Sequence, residues 1–195
     1  MVTWIAGFVV AAAVGGFWWW QGSLENSQDA AIRNAAQRYG VEPALIKAVV
    51  WRESGFDPAA RGRAGEIGLM QLREDAAREW ADAERLLDFD HEHCRDPVTN
   101  TLAGTFYLRK LLGRFAETDN PKTYALAAYN AGRGNALRWN GGAGATNSAV
   151  FLEQITFPST RAYVKEILER YDYYRPAFEI VPQPMEAEVS PGSSL

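Results

Sequence analysis

The chain has 195 residues, 47% of them hydrophobic and 12% aromatic, with a formal net charge of -4. This composition is typical of a folded domain with a sizeable core and excludes a disordered chain. The negative charge argues against a nucleic-acid-binding protein that works by neutralising phosphates. The single cysteine, Cys94, allows neither an internal disulfide nor a zinc cluster built on cysteines.

The N-terminal residues 1–20 carry no charged side chain, and only Thr3 is clearly polar. A helix of this length can cross a hydrocarbon core of about 30 Å. The tryptophans at positions 18 to 20 would then lie at the membrane–water boundary. A cleaved signal peptide is the alternative, but a basic start and a good cleavage site are missing. We predict an uncleaved transmembrane anchor over residues 1–22, followed by an acidic flank on the exported side.

Beyond the anchor, the sequence pattern is helical nearly throughout, and strand-like alternation is almost absent. Capping residues and first-turn prolines indicate helix starts, at Ser27, Pro43, Asp96–Pro97, Asn120–Pro121 and Thr160. The helix after Asp96 is amphipathic, with four expected core contacts, at Leu102, Phe106, Leu108 and Leu112. We predict a mainly α domain over residues 23–175, a mobile glycine-rich loop over 141–146 and a disordered tail over 176–195.

Residues 44–57, ALIKAVVWRESGFD, form a helical run that ends in an acid, Glu53. Ile46, Val49 and Val50 share a helix face with that carboxyl group. Burial in an apolar wall disfavours the charged form of a carboxyl group and raises its pKa, which makes Glu53 a candidate general acid. The alternative is an exposed helix end or an ion pair with Arg52 or Arg61.

The segment that follows is rich in glycine and ends in Gly68-Leu69-Met70-Gln71. Glycine there allows the backbone to turn sharply or to approach a ligand closely. A buried Met and a capping Gln would explain the same residues.

The run His91-Glu92-His93-Cys94 could in principle hold a metal. It lies in an acidic, turn-like segment without a second pair of ligands, so a surface loop is the better interpretation. We predict no metal site and no cofactor.

Three motifs occur in the order and spacing of a known family: Glu53-Ser54, Gly68-Leu69-Met70-Gln71, and Ala127-Ala128-Tyr129-Asn130-Ala131-Gly132. Together they resemble the soluble-lytic-transglycosylase-like domain. The resemblance runs from about Val41 to Tyr174. It includes a DPxxN-like segment over residues 96–100 and Thr160-Arg161-Ala162-Tyr163-Val164 near the end.

The resemblance implies a mainly α, lysozyme-like fold of the goose-type kind, with a groove for the glycan strands of peptidoglycan. Members of that family cleave the β-1,4 bond between N-acetylmuramic acid and N-acetylglucosamine and leave a 1,6-anhydro ring. Glu53 falls on the family's catalytic acid, and Ser54 is similar to a residue that orients the carboxyl group or the substrate. Further positions match residues that line the groove: Met70, Gln71, Tyr129, Asn130 and Tyr163.

Glycoside cleavage usually needs a second carboxylate as nucleophile or base. The only acid close to Glu53 in the sequence is Asp57, which is placed better for a turn than for the opposite wall of a cleft. Without a second carboxylate, the substrate's acetamido oxygen stabilises the cationic centre and its 6-hydroxyl closes the anhydro ring. Proximity favours such an intramolecular step.

These observations predict a single-pass inner-membrane enzyme with its catalytic domain in the periplasm. A short tethered domain also fits local wall opening for an envelope-spanning machine. The alternatives are a hydrolytic muramidase and a non-catalytic peptidoglycan-binding scaffold. The sequence departs from the family at Arg73-Glu74, where Met-Pro is frequent, and at Ser159, where an acid is common. An acidic insertion over residues 84–94 could shape one end of the groove.

Overall fold

The computed structural model describes residues 24–179. Its α-helices are α1 (Asp29–Tyr39), α2 (Pro43–Ser54), α3 (Glu74–Ala83), α4 (Pro97–Arg114), α5 (Pro121–Ala131), α6 (Arg133–Trp139), α7 (Ser148–Gln154) and α8 (Pro158–Phe178). Within this part of the chain, extended pairing is limited to isolated antiparallel bridges that join Ile67 to Arg61 and to Leu72. The predicted mainly α fold is confirmed.

The predicted transmembrane anchor over residues 1–22 and the tail beyond residue 179 lie outside the described residues. None of the helices within residues 24–179 combines the length and the apolar character that a membrane crossing needs. The last helix, α8, continues through Pro176 to Phe178, past the boundary predicted at residue 175. The Arg33 guanidinium lies 4.5 Å from the centre of the Phe178 ring, so this end of α8 packs on α1.

Helix α2 lies at the centre of the domain. It begins at Pro43, whose missing N–H costs least in the first turn, and ends at Gly55, which has a left-handed φ of 59°. Every residue from position 44 to position 50 is buried. An amphipathic surface helix buries only one apolar face, whereas this part of α2 is buried on all sides. Helix α2 is therefore an internal helix. Only its last turn reaches the surface.

Two helices, α1 and α8, pack on α2. Helix α8 packs along α2, helix α1 lies between α2 and α4, and α5 bridges α4 and α8. On α4, Leu108 is buried, whereas the three other predicted core contacts, Leu102, Phe106 and Leu112, are partly buried against the core. Because α4 is covered from more than one side, small residues such as Ala103 and Gly104 are buried instead.

The local signals predicted some helix ends correctly. Asp96 caps α4, since its carboxylate accepts the Thr99 N–H at 2.8 Å. The predicted cap at Ser27 was wrong, because its hydroxyl bonds back to the Leu24 carbonyl and α1 begins at Asp29. The segment predicted as a mobile loop forms a short 3-10 helix, Gly142–Ala145, and the Tyr124 hydroxyl donates to its Gly144 carbonyl.

Candidate active site

A groove of about 800 Å³ opens where the end of α2 meets the 55–72 loop, α3, α4 and the junction of α5 and α6. Six of its lining residues matter for the chemistry: Glu53, Glu66, Gln71, Tyr107, Tyr129 and Asn130. The walls of the groove come from five different segments of the sequence.

Glu53 lies in the last turn of α2, where the buried helix meets the groove. Burial raises the pKa of its carboxyl group to about 7, outweighing the Tyr163 hydrogen bond and the positive charge of Arg52. Neither arginine of the alternative interpretation pairs with Glu53: Arg52 bonds Glu166 at 2.6 Å, and Arg61 bonds Glu92. At neutral pH, the protonated and ionised forms of Glu53 are both populated.

One hydrogen bond orients the Glu53 carboxyl group. The Tyr163 hydroxyl, from α8, donates to Glu53 Oε1 at 2.6 Å. Tyr163 is 2% exposed, and burial raises the pKa of its hydroxyl, so the hydroxyl remains a neutral donor at pH 7. The Arg52 guanidinium lies over the Tyr163 ring, 5.5 Å from its centre, in a cation–π contact.

The loop that carries the glycine-rich motif is folded against the end of α2. Ile67 and Leu72 exchange two backbone hydrogen bonds of 3.0 Å, which makes a tight hairpin of the four residues between them. Gly68 has φ of 77°, and a Cβ there would lie 2.4 Å from the Asn100 side chain. Glycine is therefore required at this position both for the turn and for the close approach.

Gln71 follows the turn of that hairpin with a left-handed φ of 45°. A non-glycine residue in this region is strained and is found where the surrounding structure holds it in place. Its side-chain amide donates to the Gly68 carbonyl at 2.9 Å and to the Ala60 carbonyl at 3.1 Å. Both bonds use the amide nitrogen, so the amide oxygen is the atom that Gln71 can offer as an acceptor.

Ser54 does not hold the Glu53 carboxyl group or line the groove, in contrast to our expectation. Its hydroxyl donates to the Leu69 carbonyl at 2.8 Å and to the Val50 carbonyl at 3.1 Å. Ser54 therefore ties the glycine-rich loop to the end of α2. Its influence on Glu53 is indirect, through the position of the loop.

Met70 is fully buried beneath the groove wall rather than in the groove. Its side chain packs on α4 at Gly104, where a Cβ would lie 2.4 Å from the Met70 sulfur. Its backbone matters more for the site: the N–H donates to Asn100 Oδ1 at 2.8 Å, and the carbonyl accepts the Tyr129 hydroxyl at 2.9 Å. Met70 thereby links the loop to α4 and α5.

Tyr129 and Asn130 lie in the last turn of α5 and line the groove, as the sequence predicted. The Tyr129 ring packs against the Tyr107 ring, with their centroids 5.5 Å apart. Asn130 is exposed, and its Oδ1 accepts the Thr160 hydroxyl at 2.7 Å. This bond orients the Asn130 side chain, whose amide nitrogen has no partner within residues 24–179.

Of the seven predicted site residues, four line one groove: Glu53, Gln71, Tyr129 and Asn130. The other three, Ser54, Met70 and Tyr163, support it from behind. Which side of the wall a residue faces depends on the packing of distant helices, and the motif alone does not contain that information. Asp57 has the turn role that was predicted for it, since its Oδ1 accepts the Ala59 N–H at 2.8 Å.

Sequence reasoning missed three residues of the site: Glu66, Tyr107 and Asn100. Asn100 is fully buried and also donates to the carbonyls of Ile67 and Cys94, both at 2.8 Å. The DPxxN-like segment was the available signal for Asn100. For Glu66, the signal was its position two residues before Gly68.

The His-Glu-His-Cys segment has structural roles. His93 accepts the Asp90 N–H at 3.2 Å in a capping box, and His91 Nε2 lies 3.0 Å from the Leu72 carbonyl. Cys94 is buried, and burial raises the pKa of its thiol to about 12. Within residues 24–179, no three His, Cys, Asp or Glu side chains are grouped so as to hold a metal ion.

Known proteins are similar to this chain in sequence. Residues 30–152 match the model of the family described as the Transglycosylase SLT domain. The chain is 41% identical over 107 residues to the membrane-bound lytic murein transglycosylase F of Desulfosudis oleivorans. This match covers 53% of this chain and 22% of that protein. It is 34% identical over 130 residues to the soluble lytic murein transglycosylase of Escherichia coli K12, a match that covers 66% of this chain and 20% of that protein.

A solved structure agrees. The X-ray structure of an inactive mutant of lytic transglycosylase Slt from Pseudomonas aeruginosa matches with a TM-score of 0.69 and 28% identity, covering 76% of this chain and 24% of that one. The predicted lysozyme-like fold is thereby confirmed. The chain spans about a fifth to a quarter of the length of these relatives. On the match over residues 30–152, the chain belongs to the Transglycosylase SLT domain family.

Proposed function

We propose that this protein is a peptidoglycan lytic transglycosylase that cleaves the β-1,4 bond between N-acetylmuramic acid and N-acetylglucosamine. The observation that carries the proposal is Glu53: a partly buried carboxyl group whose desolvation raises its pKa to about 7, with no ion pair within residues 24–179 and a place in an open groove. A pKa near the working pH suits a group that must both give and take a proton.

The reaction uses Glu53 twice. Its proton passes to the oxygen that leaves with N-acetylglucosamine, the C1–O bond breaks, and the acetamido oxygen of the muramoyl sugar bonds to C1. The Glu53 carboxylate then takes the proton of the 6-hydroxyl. The 6-oxygen displaces the acetamido oxygen from C1 and closes the 1,6-anhydro ring. Glu53 ends the cycle protonated, so the reaction balances without an added reactant.

The other groove residues fit the binding of a glycan strand. The Tyr129 and Tyr107 rings offer apolar faces to sugar rings. The Asn130 amide nitrogen and the Gln71 amide oxygen offer a donor and an acceptor to N-acetyl groups. The Tyr163 bond keeps the Glu53 carboxyl group in one orientation through both proton transfers.

The cellular setting is part of the proposal. The apolar residues 1–20 support an inner-membrane anchor with the catalytic domain in the periplasm, and a relative named as membrane-bound is compatible with it. A tethered domain of this size suits local opening of the wall for an envelope-spanning machine. Fractionation of cells that express the full chain tests the anchor, because an anchored protein sediments with inner membranes and resists extraction with salt.

Digestion of purified sacculi tests the function. A lytic transglycosylase releases anhydro muropeptides, which mass spectrometry finds one water lighter than the products of a muramidase. Glu53→Gln is expected to lower the rate about 10²–10⁴-fold, the usual contribution of a general acid. Reducing-end products from the wild type would favour a muramidase. If Glu53→Gln digests sacculi as fast as the wild type, the assignment of Glu53 is wrong.

A further inference from the structure

A second carboxyl group faces the same groove as Glu53. Glu66 comes from the 55–72 loop, two residues before the Gly68 turn, and is half-buried. The sequence did not predict a role for Glu66 beside Glu53, because thirteen positions separate the two residues. The folding of the loop against the end of α2 brings both residues to one groove.

The loop holds the Glu66 side chain in a defined orientation. Its Oε2 accepts the Ala64 N–H at 2.9 Å, and its backbone carbonyl accepts the Gly62 N–H, also at 2.9 Å. The carboxylate lies over Gly62, where a Cβ would come within 2.1 Å of Oε2. The bridges of Ile67 to Arg61 and to Leu72 fix the next residue. The position of Glu66 is therefore built into the loop.

Like Glu53, and unlike the two other acids that line the groove, Glu66 has no basic partner within residues 24–179. Asp75 lies 3.8 Å from Arg73, and Glu79 is paired with Lys110. Glu66 is thus the groove acid whose negative charge is left available to a ligand.

The two carboxyl groups influence each other. The negative charge of Glu66 adds to burial in raising the pKa of Glu53. The surroundings of the two groups differ: Glu53 accepts a hydrogen bond from the buried Tyr163 hydroxyl at the end of the core helix, whereas Glu66 accepts a backbone hydrogen bond on the groove wall. Two carboxyl groups in unlike surroundings can divide their roles, one acting as a neutral acid and the other as an ionised stabiliser.

We propose that Glu66 is a second catalytic residue, an ionised carboxylate that stabilises the positive charge developing at C1 of the muramoyl sugar. Glu66 forms no bond and exchanges no proton, so the two proton transfers of Glu53 and the bond changes at C1 are as described above. The role rests on the proposed function, because it requires a glycoside whose C1–O bond breaks in this groove. A fixed charge aimed at developing charge is an efficient catalytic device, since it needs no reorganisation during the reaction.

The test compares Glu66→Gln with the wild type on purified sacculi or defined glycan strands. Gln keeps the shape and can still accept the Ala64 N–H, so the loop is preserved while the charge is lost. We expect kcat to fall about 10²-fold, as for other preorganised electrostatic groups, with KM changed less than about threefold. The alkaline limb of the kcat profile should also move to lower pH, because Glu53 loses a neighbouring negative charge.

Glu92→Gln is the matched control. Glu92 pairs with Arg61 of the 55–72 loop and lies outside the groove. Its substitution removes one negative charge, and both kcat and the pH profile should remain those of the wild type. Wild-type kcat and an unchanged pH profile in Glu66→Gln would overturn the catalytic role. A lower kcat accompanied by a wild-type pH profile and reduced unfolding free energy would overturn it as well, in favour of a structural role.

The failure of this inference can be distinguished from the failure of the proposed function. If the wild type releases anhydro muropeptides and Glu66→Gln does so equally fast, only the role of Glu66 is wrong. If the wild type releases no anhydro muropeptides, the proposed function fails, and the role of Glu66 fails with it.

Discussion

Helix α2 carries one fully buried and one partly buried ionisable side chain, Lys47 and Glu53, and their surroundings differ. Lys47 is 2% exposed, and its Nζ donates to Asp29 Oδ1 at 2.7 Å and to Asn26 Oδ1 at 2.8 Å. Aromatic rings of α8 complete its surroundings, with the Tyr174 centroid at 5.1 Å. Glu53, less than two turns further on, has one neutral hydrogen-bond donor and no ion pair within residues 24–179.

The comparison shows that burial of a charge does not by itself indicate function. The positive charge of Lys47 is paired with Asp29 and two of its three N–H donors are bonded, so removal of Lys47 alone would leave its partners uncompensated. The Glu53 carboxyl group is left without a counter-charge, and its proton is therefore held near neutral pH. A titratable side chain that is withdrawn from water without a counter-charge and faces a groove is a candidate catalytic group.

The largest effect on stability is expected from Lys47→Met. Met fills much of the same space but leaves Asp29 and Asn26 without their partner, so the unfolding free energy should fall by about 2–3 kcal/mol. Urea denaturation measures this change, and activity per folded molecule should be unaltered. The control is Arg78→Met, because the Arg78–Glu74 pair is exposed and should contribute less than about 1 kcal/mol. Equal losses in the two variants would contradict the distinction.

A smaller effect, of opposite sign, is expected from Glu53→Gln. The folded-state pKa of about 7 lies above the unfolded value of 4.5, so the folded protein binds this proton more tightly. The contribution of protonated Glu53 to folding stability is therefore fully present below about pH 4.5 and decreases as the pH rises towards 7. Gln imitates the neutral acid at every pH, so the variant should exceed the wild type by about 1–3 kcal/mol at pH 8 and match it near pH 4.

Denaturation at pH 4, 6 and 8 measures this difference. Glu117→Gln makes the same chemical change at an exposed position and serves as the control. A stability difference between Glu53→Gln and the wild type that is the same at all three pH values would show that the Glu53 carboxyl group is not held protonated by the fold.

The smallest effect is expected from Tyr163→Phe. The hydroxyl of Tyr163 stabilises the ionised form of Glu53, so its loss should raise the pKa of Glu53 further and move the alkaline limb of kcat to higher pH. With the ring retained, kcat at pH 7 should fall about 3–10-fold, which corresponds to the loss of one hydrogen bond. Tyr174→Phe removes a similar hydroxyl, bonded to Glu25 away from the groove, and should leave the profile unchanged. A wild-type profile in Tyr163→Phe would remove Tyr163 from the site.

The sequence predicted the features that local chemistry determines. Pro43 and Gly55 bound α2 because a first-turn proline and a left-handed glycine act within one helix turn. The apolar neighbours of Glu53 lie within seven residues of it and made it a candidate acid, whereas its match to a catalytic acid came from the family resemblance. The end of α8 was placed too early, since the contacts of Phe178 with Arg33 on α1 allow the helix to continue past Pro176.

Features that depend on distant contacts were not predictable in this way. The burial of Lys47 depends on Asn26 and Asp29, which precede it by 21 and 18 residues. The orientation of Met70 away from the groove depends on the space that Gly104 leaves on α4. Periodicity shows which residues share a face of one helix, but it cannot show which face a second helix will cover.

The hydrogen bonds of Asn100 order one wall of the site before substrate binds. One side chain of α4 bonds the backbone of Ile67, Met70 and Cys94, and so holds the hairpin that ends beside the groove. These bonds form when the chain folds, before any substrate arrives. The conformational entropy of this wall is thus lost once in the lifetime of the molecule rather than once in every turnover.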